Sequence, residues 1–123
     1  MSVDLPSRVA ERWRQTEEYL ADPVLGGYAG KPLGFIETST RVDYVNGTST
    51  SPVGFIEGLY VIDAARFQGI GRMLVQAGER WARERGCREM ASEALIGNES
   101  SHAAHLSLGF HETERVVYFR KDL

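Results

Sequence analysis

Val53-Gly54-Phe55-Ile56-Glu57-Gly58-Leu59-Tyr60-Val61-Ile62, followed within a few residues by Arg66-Phe67-Gln68-Gly69-Ile70-Gly71, is the stretch that decides the fold. Residues 53–62 form the most apolar run of the chain and read as a buried strand. Residues 66–71 are a glycine-bearing turn, and residues 70–85 carry helical periodicity. Ile70, Leu74, Ala77, Gly78 and Trp81 make its apolar stripe, Glu79–Arg83 and Arg80–Glu84 are i,i+4 pairs on its wet face, and Gly86 suits the position after its end. Residues 88–94 are a further strand, so residues 53–94 predict a right-handed strand–helix–strand crossover with parallel strands.

Outward from this unit, residues 33–43 read as a strand joined to a shorter one at 24–29 through the turn Gly30-Lys31-Pro32. Residues 46–52 are a polar loop. A helix is expected over 7–21, with Val9, Trp13, Thr16 and Leu20 on one face and Asp22-Pro23 as its stop. Downstream, Asn98 can cap a short helix ending at Gly109, and residues 116–120 read as a last strand. The order helix, hairpin, strand, helix, strand, helix, strand defines an α/β (α+β) sheet with helices on its faces.

A chain of 123 residues argues for one domain, 1–123, and its 42% hydrophobic and 25% charged residues place it among soluble globular proteins. A net charge of -3 argues against a nucleic-acid partner and fits a cationic ligand better. Residues 1–6 lack a basic-then-apolar leader, and no apolar run approaches the ~20 residues that cross a bilayer, so a cytoplasmic location without membrane association is expected. Cys87 is the single cysteine; without an ordered Cys/His/Asn signature it reads as a small buried residue rather than a nucleophile. His102 and His111 suggest no role, and no His/Cys/Asp cluster has metal-ligand spacing, so no metal is expected.

The turn 66–71 has legible chemistry. Glycines let the backbone approach a ligand, the first helical turn leaves N–H groups unpaired, and the positive end of the helix dipole favours a phosphate. Arg66 and Arg72 add flanking charge. Neither the Gly-x-Gly-x-x-Gly fingerprint nor a Walker loop is present. The alternative is an ordinary strand-to-helix turn with Gly71 packed against the sheet.

Arg66-x-x-Gly69-x-Gly71 after an apolar strand resembles the acetyl-CoA motif of the GNAT superfamily, and Asn98 with His105-x-x-x-Gly109-Phe110 resembles its later motif. From Arg41 onward, four blocks resemble one branch of the aminoglycoside 6'-N-acetyltransferases. They are Asp43-Tyr44-Val45-Asn46-Gly47, Phe55-Ile56-Glu57-Gly58-Leu59-Tyr60-Val61, Gly86-Cys87-Arg88-Glu89-Met90-Ala91-Ser92 and Gly109-Phe110-x-Glu112-Thr113-Glu114-Arg115-Val116.

The resemblance implies a mixed, mostly antiparallel sheet with a splayed parallel pair where acetyl-CoA enters. By similarity, the backbone of Leu59, Tyr60 and Val61 would meet the pantetheine. The amides of Arg66, Phe67, Gln68, Gly69, Ile70 and Gly71, with Arg72 alongside, would hold the pyrophosphate, and Asn98 would contact the cofactor arm. Glu57 is a carboxylate inside an apolar strand, hence either a satisfied structural ion pair or a group that binds or deprotonates the acceptor amine. His105 stands where many GNAT enzymes carry a tyrosine acid; it is either the donor to the leaving thiolate or a packed helix residue. Tyr44, Glu57, Glu93 and Glu114 are the implied contacts of a polycationic substrate, although Glu93, Glu112 and Glu114 also fit a solvated acidic surface. Asp43 fits an Asx turn.

Transfer would be direct, through a tetrahedral intermediate supported by a backbone N–H of the central strand, without an acyl-enzyme. The pattern departs from the family at its start, where a first strand and helix are missing; a homodimer or strand exchange would cover the exposed edge. The acceptor is expected to be the 6'-amine of an aminoglycoside. The alternatives are another small amine, such as a polyamine or peptide, or a catalytically weak protein that binds CoA or cations.

Overall fold

A computed structural model describes residues 33–123. The helix expected over 7–21, the strand over 24–29 and the turn 30–32 lie outside the described residues. The elements are β1 (Gly34–Arg41), β2 (Val53–Val61), a 3-10 turn (Asp63–Ala65), α1 (Ile70–Glu84), β3 (Met90–Ala91) and α2 (Glu99–Ser107). The sheet order is β1-β2-β3, with β1 antiparallel and β3 parallel to the central β2. This is the mixed α/β arrangement that the strand–helix–strand pattern predicts.

β2 is central because its first half is apolar on both faces. Ile56 packs with Ile36, Leu74 and Val75 on the side covered by α1. Val53 and Phe55 pack with Val45 on the other. Each fully buried aliphatic side chain of this kind contributes roughly 1.5–3 kcal/mol. α1 buries Leu74, Val75, Gly78 and Ala82. The buried stripe is therefore turned relative to the sequence reading, in which Ile70, Ala77 and Trp81 stood beside Leu74 and Gly78. Those three are only partly buried, and Trp81 lies toward the surface with the Arg85 guanidinium 3.9 Å from its ring centroid. Gly78 permits the close approach: a Cβ there would stand 3.0 Å from Ile36 Cδ1 and 3.1 Å from Thr38 Cγ2.

Both helices end in the same way. After α1, Gly86 N–H donates to the Arg83 carbonyl and Cys87 N–H to the Ala82 carbonyl, each at 3.0 Å. After α2, Gly109 N–H donates to Leu106 at 3.1 Å and Phe110 N–H to His105 at 3.0 Å. These are Schellman closures, and Gly109 at φ 92° supplies the left-handed residue they need.

Two strand expectations are corrected. Of residues 88–94 only Met90–Ala91 pair, with Gly54 and Phe55 of β2. Residues 116–120 form no strand. Val116, Val117, Tyr118 and Phe119 are 45%, 76%, 80% and 92% exposed. Their β-forming composition has no adjoining edge to act on among the described residues, and strand propensity without a partner does not make a strand.

Candidate active site

The pairing of β1 with β2 slips by one residue. Glu37 stands opposite Gly58 and Thr38 opposite Ile56, so Glu57 is the extra residue of a β-bulge. A bulge bends its strand and re-aims a side chain. Two features accompany it. Ile56 and Val61, an odd number of residues apart, both pack on the cluster beneath α1. The parallel pairing with β3 also stops just before the bulge, at Phe55 opposite Ala91. Beyond that point β2 and the chain after β3 part, and a cleft of about 170 Å³ opens between them. Ile56, Glu57 and Leu59 form one wall, Ser92 and Glu93 the other, and Ser101, His105 and Phe110 close it from the side of α2.

Glu57 is both satisfied and placed at this cleft. Ser39 Oγ donates to Glu57 Oε1 at 2.6 Å. Arg41 Nη2 donates to Oε1 at 2.9 Å and to Oε2 at 3.2 Å. The guanidinium is itself held flat, 3.5 Å from the centroid of the Phe55 ring. The ion pair, one of the two alternatives in the sequence reading, is present, and the same residue lines the cleft. Neither Ser39 nor Arg41 was singled out from the sequence. Their contact with Glu57 depends on the bulged register, which no local pattern encodes.

His105 lies in the last turn of α2 with both ring nitrogens engaged. Nδ1 is 2.7 Å from the Ser101 carbonyl and Nε2 is 2.8 Å from Ser92 Oγ. A carbonyl only accepts, so we assign the proton to Nδ1, and Nε2 accepts from the Ser92 hydroxyl. Phe110 meets the ring edge-on, with centroids 5.4 Å apart. The Gly109-Phe110 pair of the sequence motif therefore does local work: it closes α2 and sets an aromatic ring against His105. Ser92 was not among the residues proposed from the sequence.

The turn before α1 has the open form expected of an anion cradle. Gly69, at φ 83°, is the N-cap residue, no side chain caps the helix, and its first turn holds no acidic residue. A Cβ built on Gly69 or Gly71 would meet nothing within 4 Å. Phe67 is fully exposed and also left-handed, at φ 63°. The first-turn amides have no intrahelical acceptor, so these residues fit a diphosphate. Ile70 begins the helix and is partly buried against the core.

The two flanking arginines are anchored to the protein. Arg66 pairs with Asp63 at 2.9 Å and donates to the Val61 carbonyl at 3.1 Å. Arg72 donates to the Ser107 carbonyl at 3.0 Å, tying the start of α1 to the end of α2. Gln68 Nε2 donates to the Ala64 carbonyl at 3.4 Å. Leu59, Tyr60 and Val61 pair with β1 through Ile36, Phe35 and Gly34; their other edge, beyond the fork, has no strand partner among the described residues. Asn98 caps α2, its Oδ1 accepting from Ser101 N at 3.2 Å.

Glu57, Glu93 and His105 are thus brought together, whereas Tyr44 and Glu114 lie outside the cleft lining. Tyr44 is exposed, and its hydroxyl accepts from Gly47 N–H at 3.3 Å. Glu114 is exposed on the segment that passes the same loop, where a Cβ on Gly47 would fall 2.3 Å from Thr113 Oγ1. Next to it, Arg115 hydrogen-bonds Glu112 and holds that carboxyl below its usual range. Among the described residues no group of three or more His, Cys, Asp or Glu is placed to hold a metal ion, and no helix is long and apolar enough to cross a membrane.

The acetyltransferase (GNAT) family model matches residues 3–110, and the chain belongs to that family. An aminoglycoside N(6')-acetyltransferase type 1 of Acinetobacter haemolyticus is 53% identical over 91 residues, which are 74% of this chain and 63% of that protein. The chain spans about three-fifths of the length of that relative. The crystal structure of the apo aminoglycoside antibiotic 6'-N-acetyltransferase AAC(6')-IG from the same organism has a TM-score of 0.78 at 44% identity, covering 93% of this chain and 81% of that one. AAC(6')-Iy, solved with the bisubstrate analogue CoA-S-monomethyl-acetylneamine, has a TM-score of 0.77 at 34% identity, covering 97% and 95%.

Proposed function

We propose that this chain, acting as a single acetyltransferase domain, transfers the acetyl group of acetyl-CoA to a primary amine, the 6'-amine of an aminoglycoside. The observation that carries this reading is the fork between β2 and β3, with Glu57 and Glu93 on its walls, His105 beside it and the open turn at Gly69 close by in sequence. The relatives' names supply the acceptor class. The amides of residues 66–71 bind the diphosphate, the edge of Leu59, Tyr60 and Val61 that has no strand partner among the described residues receives the pantetheine amides, and Asn98 flanks the arm. Glu57 orients the ammonium and takes its proton, so that the nitrogen lone pair can attack the acetyl carbonyl. The carbon–sulfur bond then breaks, its electron pair goes to sulfur, and a proton reaches that sulfur from the His105 side of the cleft.

Carboxylates suit a polycationic acceptor, and Tyr44 and Glu114 would extend the site if a second copy approached. We read the protein as a homodimer on that ground and because the apolar run at 116–119 is exposed. One unbridged thiol, Cys87, fits a reducing compartment and hence the cytoplasm.

The test is turnover. Purified protein with acetyl-CoA and a panel of aminoglycosides, polyamines and peptides should release free CoA with aminoglycosides that carry a 6'-amine. Release with polyamines or peptides alone would change the acceptor. Acetyl-CoA binding without release would reduce the protein to a CoA binder. Light scattering of the same sample tests the dimer.

A further inference from the structure

We propose that Ser92, and not His105 directly, hands the proton to the departing thiolate, with His105 behind it as the group that resupplies the proton; this rests on the acetyl-transfer reading above. As the ring stands, neither of its nitrogens offers a proton to the cleft. Nδ1 is turned back to the Ser101 carbonyl of its own helix at 2.7 Å, and Nε2 is turned to Ser92 Oγ at 2.8 Å. Direct donation from His105 would require one of these hydrogen bonds to break and the ring to leave its edge contact with Phe110. Ser92 needs no such movement. It follows Ala91, the last residue of β3 to pair with β2, so its hydroxyl stands at the fork and lines the cleft.

The arrangement has the form of a hydroxyl, a base and an orienting acceptor, and the charge on the ring sets its direction. With His105 neutral, the Ser92 O–H donates to Nε2 and its proton faces away from the cleft. With His105 protonated, Nε2–H donates to Oγ and the hydroxyl proton is released toward the cleft. When the carbon–sulfur bond breaks, the electron pair goes to sulfur, Oγ–H gives its proton to sulfur, and Nε2–H gives its proton to Oγ. His105 is left neutral, with Nδ1–H still on the Ser101 carbonyl, and water reprotonates it. Glu57 and Glu93 line the cleft with the ring, and Arg72 reaches the last turn of α2 at Ser107.

The test uses Ser92→Ala, Ser92→Thr and His105→Gln with acetyl-CoA and a 6'-amino aminoglycoside. Ser92→Ala should lower kcat roughly ten- to a hundredfold with KM for both substrates little changed, and Ser92→Thr, which keeps the hydroxyl, should recover most of the rate. Proton inventory in mixed heavy water should be curved in the wild type, with two protons in flight, and linear in Ser92→Ala. An unchanged kcat in Ser92→Ala, or an acetyl group found on Ser92 by mass spectrometry, would overturn the relay. Nitrogen-15 spectra of His105 in the substrate-free protein give a readout independent of turnover. They should show the Nδ1–H form, with the Nε2 resonance moving in Ser92→Ala; an Nε2–H form in the wild type would sink the relay even if acetyl transfer were established. Wild-type protein that acetylates no amine would instead remove the parent reading, before any variant is made.

Discussion

Arg41 and Glu57, on neighbouring antiparallel strands, form a two-point contact at 2.9 and 3.2 Å, and the guanidinium lies 3.5 Å from the centroid of the Phe55 ring. The pair links the last residue of β1 to the bulge of β2 and fixes the carboxylate at the mouth of the fork. Arg41→Met keeps the stem that covers Phe55 and removes the charged anchor. It should lower kcat by about tenfold through loss of orientation and leave acetyl-CoA affinity unchanged, as measured by steady-state kinetics and calorimetry.

Glu57→Gln preserves shape and an acceptor oxygen but removes the carboxylate proposed to take the amine's proton. Turnover should fall by roughly a hundredfold while acetyl-CoA binding is retained. Equal losses in turnover and cofactor affinity would count against Glu57 as the group that serves the amine.

Gly69 combines φ 83° with open space where a Cβ would stand. Gly69→Val should therefore cost at least roughly 1–2 kcal/mol of stability from the left-handed backbone alone, seen as a lowered melting temperature. It should also weaken acetyl-CoA binding, read as loss of the thermal shift the ligand produces. Unchanged affinity would remove this turn from the cofactor site.

Glu89 supplies a pH-dependent contact. Its Oε1 accepts from Thr50 Oγ1, from Thr50 N–H at 2.7 Å and from Ser49 N–H at 2.9 Å. The Thr50 hydroxyl first, then the Ser49 amide, hold its carboxyl below the ordinary value of 4.5. A depressed carboxylate contributes stability that is fully present above its unfolded value and is lost as pH falls through the folded one. The melting-temperature gap between wild type and Glu89→Ala should thus be constant above that range and close as the solution is acidified below it.

Gly109→Ala should strain the closure of α2 by roughly 1–2 kcal/mol and disturb Phe110 and His105 together. Loss of kcat exceeding the loss of folded protein, measured at a temperature well below melting, is the expected outcome.

Much of this architecture is legible in the sequence because it is local. The apolar run at 53–61, the helical period of 70–84, the cap at Asn98 and the two closing glycines each state their element within a few residues. What the sequence hides is non-local. The one-residue slip at Glu57 leaves no compositional trace, yet it decides that Ser39 and Arg41 meet the carboxylate. Ser92 and His105 are thirteen positions apart and meet only because the chain after β3 turns away from β2. The run at 116–120 shows the opposite failure, for its side chains suit a strand but no described edge receives it. The turned stripe of α1 has a third cause: Val75 is drawn inward by the core cluster and the cleft wall, a demand the helix's own pattern does not express.

The extra residue in β2 interrupts the ladder with β1 just past the point where the pairing with β3 ends. Removing Glu57 altogether, as distinct from replacing it, would restore even alternation along the strand. Because Gly58 already stands opposite Glu37 and Ile56 opposite Thr38, side chains 58–61 would keep the faces they occupy, and the ladder with β1 would run on without its slip. A single residue therefore supplies both the irregularity of the ladder and the carboxylate that Ser39 and Arg41 hold.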